Sequence, residues 1–259
     1  MSDFDRNYAA PRAFGTDRAA ALDQGLRAHM IRVYNYMAGG VALTGVVAWL
    51  AYQAAGGDAI VISRGFVTGA TPFGQAIFSG PLLWVLLLAP LGLVFFLSYR
   101  IGQMQAATAR LLFFVYAGLL GLSLASIFVV YTQSSLSRVF FISAASFGAM
   151  SLWGYTTQRN LDGMGSFMMM GLIGIIIASL VNLFLASSML QFLVSVIGVL
   201  VFAGLTAYDT QRLKNDYMYG YASQGGVVAE RASILGALSL YLNFINLFTL
   251  LLQLLGQRD

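Results

Sequence analysis

From residue 33 onward the chain alternates between long apolar runs and short polar interruptions. The runs fall near 33–54, 81–99, 111–133, 139–157, 165–186, 190–210 and 233–256. Each can cross a hydrocarbon core of about 30 Å as a helix rising about 1.5 Å per residue. The pattern therefore predicts an all-α, polytopic membrane protein with seven transmembrane helices. Pro81 suits the start of the second span, and Pro90 inside it predicts a kink. Asp162-Gly163 offers a turn and a helix cap before span five, while Ala186-Ser187-Ser188 leaves only a minimal turn before span six.

Residues 1–30 have a different character: polar and charged, with Pro11 and Gly15 and no sustained apolar run. No secretory signal is expected there, because an apolar core and a small-residue cleavage site are both missing. The composition predicts a mostly disordered N-terminal tail over 1–30, ending in a short interfacial helix from Arg18 to Arg32, and a membrane domain over 31–259. His29 lies in this segment, where a lone histidine is expected to be solvated.

Composition supports the lipid reading. Apolar residues make up 59% of the chain and charged residues 9%, with a mean hydropathy of +0.77; a soluble domain carries about 25% charged residues. The net charge of +4 comes almost wholly from arginine, since Lys214 is the only lysine. These cations sit at the ends of apolar runs and form no basic stripe with aromatics, so no nucleic acid partner is expected. Their distribution is topological instead. Arg6, Arg12, Arg18, Arg27, Arg32, Arg100, Arg110, Arg159, Arg212, Lys214 and Arg231 fall on one side of the predicted bundle, against Arg64, Arg138 and Arg258 on the other. Eleven against three predicts a cytoplasmic N-terminus and, with seven spans, an external C-terminus.

Several membrane chemistries lack their residues. With no cysteine and one histidine, thiolate sites, paired-histidine haem ligation and His-Glu-x-x-His zinc proteases are excluded. Span seven holds no lysine for a retinal Schiff base. The Gly-x-Ser-Gly of intramembrane serine proteases and the Gly-x-Gly-Asp of aspartyl proteases are absent, although Tyr208-Asp209 supplies half of the latter pattern. An enzyme is not expected, and neither is a resident cofactor.

A few polar groups remain at membrane depth. Asp209 closes span six, and Asn243, Asn246 and Gln253 share one face of span seven at separations of three and seven. Two readings stay open for that stripe: hydrogen-bond glue between helices, or part of a working site. Asp209 is likewise either a carboxylate reaching headgroup water or a buried latch held by an arginine. Arg100 at the end of span two is the topological candidate for that arginine, and Arg212 the local one. Asn243 lies about 15 Å deeper than Asp209 by hydropathy, so contact requires a tilted span six or a span seven that begins well before Ser233.

The sequences AYDTQRLK over Ala207–Lys214 and LSLYLNFINLF over Leu238–Phe248 occur one span apart. With Phe140–Thr156 and Gly171–Phe184, they make the chain resemble the bacterial branch of the Bax inhibitor-1 family, from about Arg32 to the end. The resemblance implies a bundle with span seven at its centre, in a bacterial inner membrane. It also implies a pH-sensitive calcium leak, in which aspartates on spans six and seven share a proton and exchange contacts with an arginine on span two. Asp209 matches the first aspartate and Arg100 the arginine, but Asn243 stands where the second aspartate is usual. Asn243 cannot ionise, and one carboxylate beside an amide makes a weak calcium site. A displaced pH response and weaker calcium selectivity follow, with Asp209 the only calcium candidate. The alternative implied by some relatives is a non-transporting modulator of a membrane-bound AAA protease.

Overall fold

The computed structural model describes residues 10–63, 66–220 and 226–258. Its helices are α1 (Ala10–Ala55), α2 (Pro72–Phe78), α3 (Pro81–Arg100), α4 (Ala106–Leu124), α5 (Ile127–Val130), α6 (Gln133–Thr156), α7 (Asp162–Leu185), α8 (Ser188–Tyr219) and α9 (Gly226–Leu255). Seven stretches are long and apolar enough to cross a membrane, namely 22–55, 82–103, 106–130, 133–156, 162–185, 188–219 and 226–255. They match the seven apolar runs one for one. The third crosses as α4 and α5 in succession. A two-stranded hairpin, Val61–Ser63 with Phe66–Thr68, joins α1 to α2; its three-residue strands are too short for a hydropathy pattern to mark.

The N-terminal segment differs from the expected tail. Residues 1–9 lie outside the described residues, but from Ala10 the chain is already part of α1, a helix of 46 residues. The reason is visible from Leu26 onward. Leu26, Met30, Val33 and Met37 recur at helical spacing and are all buried in the main core. His29 shares that buried side at 4% exposure. It stacks on Tyr217 of α8 with ring centroids 4.8 Å apart, and its Nδ1 lies 3.0 Å from the Ser233 hydroxyl of α9. The expectation of a solvated histidine is thereby corrected.

Helix α9 runs through the centre, packed against α8, α1, α6 and α4. At its middle, Tyr241 is fully buried among the rings of Phe113 and Tyr116, both met edge-on at 5.8 Å. Its hydroxyl lies 2.6 Å from Thr44 Oγ1. Thr44 faces the carbonyls of Gly40 and Ala117 at 2.9 Å each. Carbonyls only accept, so the threonine proton serves them and Tyr241 donates to Thr44. One phenol thus ties three helices at a depth where unpaired polar groups are costly. Gly154 sets the distance between α6 and α8, because a Cβ there would run into the Ala207 carbonyl oxygen. By contrast, α7 packs chiefly on α8 and turns most of its surface outward, with Phe184 90% exposed.

Pro90 lies within α3 without ending it. A proline has no N–H, so the carbonyl four residues back, that of Leu86, loses its helical donor. Ser123 of α4 supplies the replacement: its hydroxyl is 2.6 Å from the Leu86 oxygen and 3.1 Å from that of Leu119 in its own helix. The turn between α7 and α8 is as tight as expected. Ala186 adopts a left-handed φ of 47°, Asn182 Oδ1 accepts from the Ser187 N–H at 3.0 Å, and Ser187 Oγ caps α8 by accepting from the Leu190 N–H.

Removing the Ser123 hydroxyl should leave the Leu86 carbonyl unpaired in an apolar setting. Ser123→Ala is expected to lower stability by about 1–2 kcal/mol, measured by reversible unfolding in micelles. Adding Pro90→Ala to that variant should restore most of the loss, because an alanine at this position brings back the missing N–H. A double variant no better than the single would overturn this account.

Candidate functional site

Nearly every side chain of the AYDTQRLK segment, which lies within α8, has a separate partner. Tyr208 lays its ring where a Cβ on Gly165 of α7 would be. Thr210 donates to the Thr206 carbonyl at 2.8 Å, so it accepts from Ser151 of α6 at 3.1 Å. Ser151 in turn accepts from the Tyr34 hydroxyl of α1 at 2.5 Å. Three helices are joined by this one-way chain of hydroxyls. Gln211 is buried and holds the connection between α6 and α7: its amide donates to the Arg159 carbonyl at 2.8 Å, and its Oε1 accepts from the Leu161 N–H at 2.9 Å. Lys214 Nζ donates to the Tyr155 carbonyl at 3.0 Å.

Asp209 is 6% exposed and faces α9. Its Oδ2 accepts from Asn243 Nδ2 at 2.8 Å and from Ser239 Oγ at 2.7 Å. Its Oδ1 is paired with the Arg212 guanidinium at 3.1 Å, three residues along the same helix. Arg212 also lies 5.6 Å from the centre of the Tyr208 ring. Every group around the carboxylate donates, which suits an acceptor-only anion. Asp209 and Asn243 meet because both helices outrun their apolar cores. Helix α9 starts at Gly226, seventeen residues before Asn243, and α8 continues to Tyr219, ten residues past Asp209. The early start of span seven that such contact called for is present.

Arg100 is not part of this cluster. It is exposed at the end of α3, and its side chain makes no hydrogen bond or ion pair among the described residues. Helix α3 packs chiefly on α4 and α2, and Ser98 near its end reaches the cavity beside Arg212, but the Arg100 side chain is exposed and unpaired with Asp209. The i,i+3 spacing puts Arg212 beside the carboxylate without any tertiary requirement. Ser239, which no sequence argument singled out, completes the site. It stands one turn before Asn243 on the same face, and extending the polar stripe by four residues would have found it.

The rest of the stripe divides. Gln253 accepts from Ser195 of α8 at 3.0 Å, an interhelical bond of the expected kind. Asn246 instead donates to the Leu242 carbonyl of its own helix at 2.8 Å. Both, with Asp209 and Asn243, line a groove of about 650 Å³ whose far wall is the aliphatic face of α7. A second cavity of about 480 Å³ opens past Asp216 and Ser98. Arg212, Ser239 and Leu242 line both, so the Asp209 cluster stands between them. Among the described residues no three His, Cys, Asp or Glu side chains come together.

A seven-helix membrane bundle with a buried carboxylate on its sixth span, held by a polar seventh span at the centre, is the class of protein defined here. Comparison with known sequences gives the family. Residues 26–259 match the family described as inhibitor of apoptosis-promoting Bax1, and the chain belongs to this Bax inhibitor-1 family. It is 45% identical over 243 residues to the uncharacterized protein RP147 of Rickettsia prowazekii, covering 94% of this chain and 95% of that one. An uncharacterized protein of Caulobacter vibrioides is 42% identical over 267 residues, covering 99% and 98%. The inner membrane protein YbhL of Escherichia coli K12 is 44% identical over 235 residues, covering 90% and 93%.

Gln211→Leu should free the connection over 157–161, since the buried Leu161 N–H loses its acceptor at a cost of about 1–3 kcal/mol. Amide hydrogen exchange at Leu161 is expected to accelerate in this variant and to stay unchanged in Asp209→Asn. Equal exchange in the wild type and Gln211→Leu would remove the clasp.

Proposed function

We propose that the chain is a proton-gated cation leak pathway of a bacterial inner membrane, closed by the Asp209 cluster. The observation that carries this reading is the position of one buried carboxylate, with its three donors, between two cavities that flank the central helix. Protonating Asp209 removes the charge that holds Arg212 and turns a pure acceptor into a donor. Asn243 can answer by presenting its amide oxygen, because an amide offers both donor and acceptor. The carboxyl–amide contact therefore survives protonation while the guanidinium is released. A switch of this kind needs one proton.

Selectivity follows from the same groups. Calcium prefers six to eight oxygen ligands, several of them carboxylates. Asp209, Ser239 and the Asn243 amide supply one carboxylate, so the path should favour calcium only weakly over monovalent cations. The name of the Escherichia coli relative supports an inner membrane location. The cation excess on the face that carries Arg27, Arg159 and Lys214 supports a cytoplasmic position for that face and for the N-terminus.

Vesicles loaded with a calcium indicator test the gate. Flux should rise as pH falls, with a slope no steeper than one proton. Asp209→Asn should flatten the profile, and Asn243→Asp should steepen it toward two protons. A two-proton slope in the wild type would sink the reading. An absence of flux at every pH would leave the non-transporting alternative, a modulator of a membrane-bound protease, in its place. Deletion of residues 2–20 then tests that role without removing the packed turn at Leu26–Met30.

A further inference from the structure

We propose that the groove between α1 and α6, on the face that carries Lys214, binds a glycerophospholipid with a primary-amine headgroup. Its phosphate meets Arg27 and Lys214, its ammonium meets Asp23, and one acyl chain lies along Phe147, Gly148 and Leu152. The inference rests on the membrane-spanning fold and not on ion flux.

Two cavities of about 590 and 530 Å³ flank this stretch of α1, and Asp23 and Tyr155 line both of them. Arg27 lines the first and Lys214 the second. Lys214 is fixed there: its Nζ donates to the Tyr155 carbonyl at 3.0 Å and sits 5.4 Å from the centre of the Tyr155 ring. That bond uses one of three ammonium protons and leaves two for a ligand. Arg27 and Asp23 are exposed, one helical turn apart, yet they pair neither with each other nor with any other described residue. The mouth of the groove therefore presents two cations and one anion, none of them in an ion pair with another described residue.

The charge pattern selects the occupant. A simple anion would gain from Arg27 and Lys214 but meet the Asp23 carboxylate at close range. A headgroup with a phosphate and an ammonium a few ångströms apart satisfies both signs. A primary amine does so better than a quaternary one, because only the former donates hydrogen bonds to a carboxylate. Below the mouth the lining turns apolar, with Met30 and Ile31 facing Phe147 and Leu152. From Thr156 to Phe147 is nine residues of helix, or about 13.5 Å at the α-helical rise, close to one leaflet of a core of about 30 Å. Gly148 leaves the floor open, since an added Cβ there meets nothing within 4 Å. Apolar walls in a lateral, membrane-level groove identify the source as bilayer lipid rather than soluble phosphate.

Delipidated protein in detergent provides the test. Phosphatidylethanolamine, phosphatidylglycerol and phosphatidylcholine would be added separately, with inorganic phosphate as the soluble anion. Retained lipid is read by native mass spectrometry and stability by Tm. Phosphatidylethanolamine should be retained best and raise Tm most, and inorganic phosphate should do neither. Asp23→Asn should abolish the preference over phosphatidylglycerol. Arg27→Gln should weaken retention of phosphatidylethanolamine and phosphatidylglycerol, by roughly tenfold for a lost charge-assisted contact. Gly148→Leu should weaken retention of all three lipids by filling the acyl path, without touching the headgroup. Equal retention of the three lipids, a Tm rise with phosphate alone, or wild-type retention in Gly148→Leu would each overturn the proposal.

Discussion

A polar group inside a hydrocarbon layer has no water to fall back on, and the whole arrangement follows from that. The Leu86 carbonyl freed by Pro90 is met by Ser123 from the next span. The Tyr241 phenol meets Thr44, whose own proton goes to two carbonyls. The Asp209 carboxylate meets three donors, two of them from α9. Each solution joins separate helices or fixes a side chain at one depth. Apolar packing alone does little to specify register here, because lipid tails are as apolar as leucine. Polar satisfaction supplies the register that apolar contact leaves free.

This accounts for what could be read from the chain and what could not. All seven spans were legible, since hydropathy over some twenty residues is a strong signal, and the polar face of α9 was legible from the spacing of Asn243, Asn246 and Gln253. Helix ends were not. Hydropathy falls near Thr210 and rises near Ser233, while the helices run on to Tyr219 and back to Gly226. That offset alone made Asp209 look like a rim residue and Asn243 look too deep to reach it. The helical start at Ala10 was hidden the same way, because the polar residues there give no apolar run. The Arg100 expectation failed because topology gives only the side of the membrane on which a residue lies. The placement of α3 had to be known to see that Ser98 comes to the cavity beside Arg212 while the Arg100 side chain stays exposed.

In the AYDTQRLK segment one charged pair is surrounded by side chains with fixed partners. Tyr208 packs on α7, Thr210 ends a hydroxyl chain that starts on α1, Gln211 holds the connection over 157–161, and Lys214 is fixed to Tyr155. Asp209 and Arg212 are left as the two members whose bond is local and charged. The immobile partners hold α8 in place, so a change at that bond is not dissipated by movement of the backbone around it.

Beyond α9 the chain is fastened at the opposite face. The Thr132 N–H donates to the Gln257 carbonyl at 3.1 Å, the Gln257 N–H donates to Ser135 Oγ at 2.9 Å, and Arg258 lies over the Tyr131 ring. This fastening acts as a datum for the rod above it. Twelve residues of helix separate Asn243 from Leu255, so the amide stands about 18 Å along α9 from the end that Gln257 fastens. Both its height and its compass bearing are set from there. One residue more or less in that interval would turn Asn243 by about 100° and shift it by about 1.5 Å, which takes it off the carboxylate altogether. The length of this leucine-rich stretch, together with the Gln253–Ser195 bond inside it and the Tyr241–Thr44 bond beside it, thus sets where the amide and the carboxylate meet.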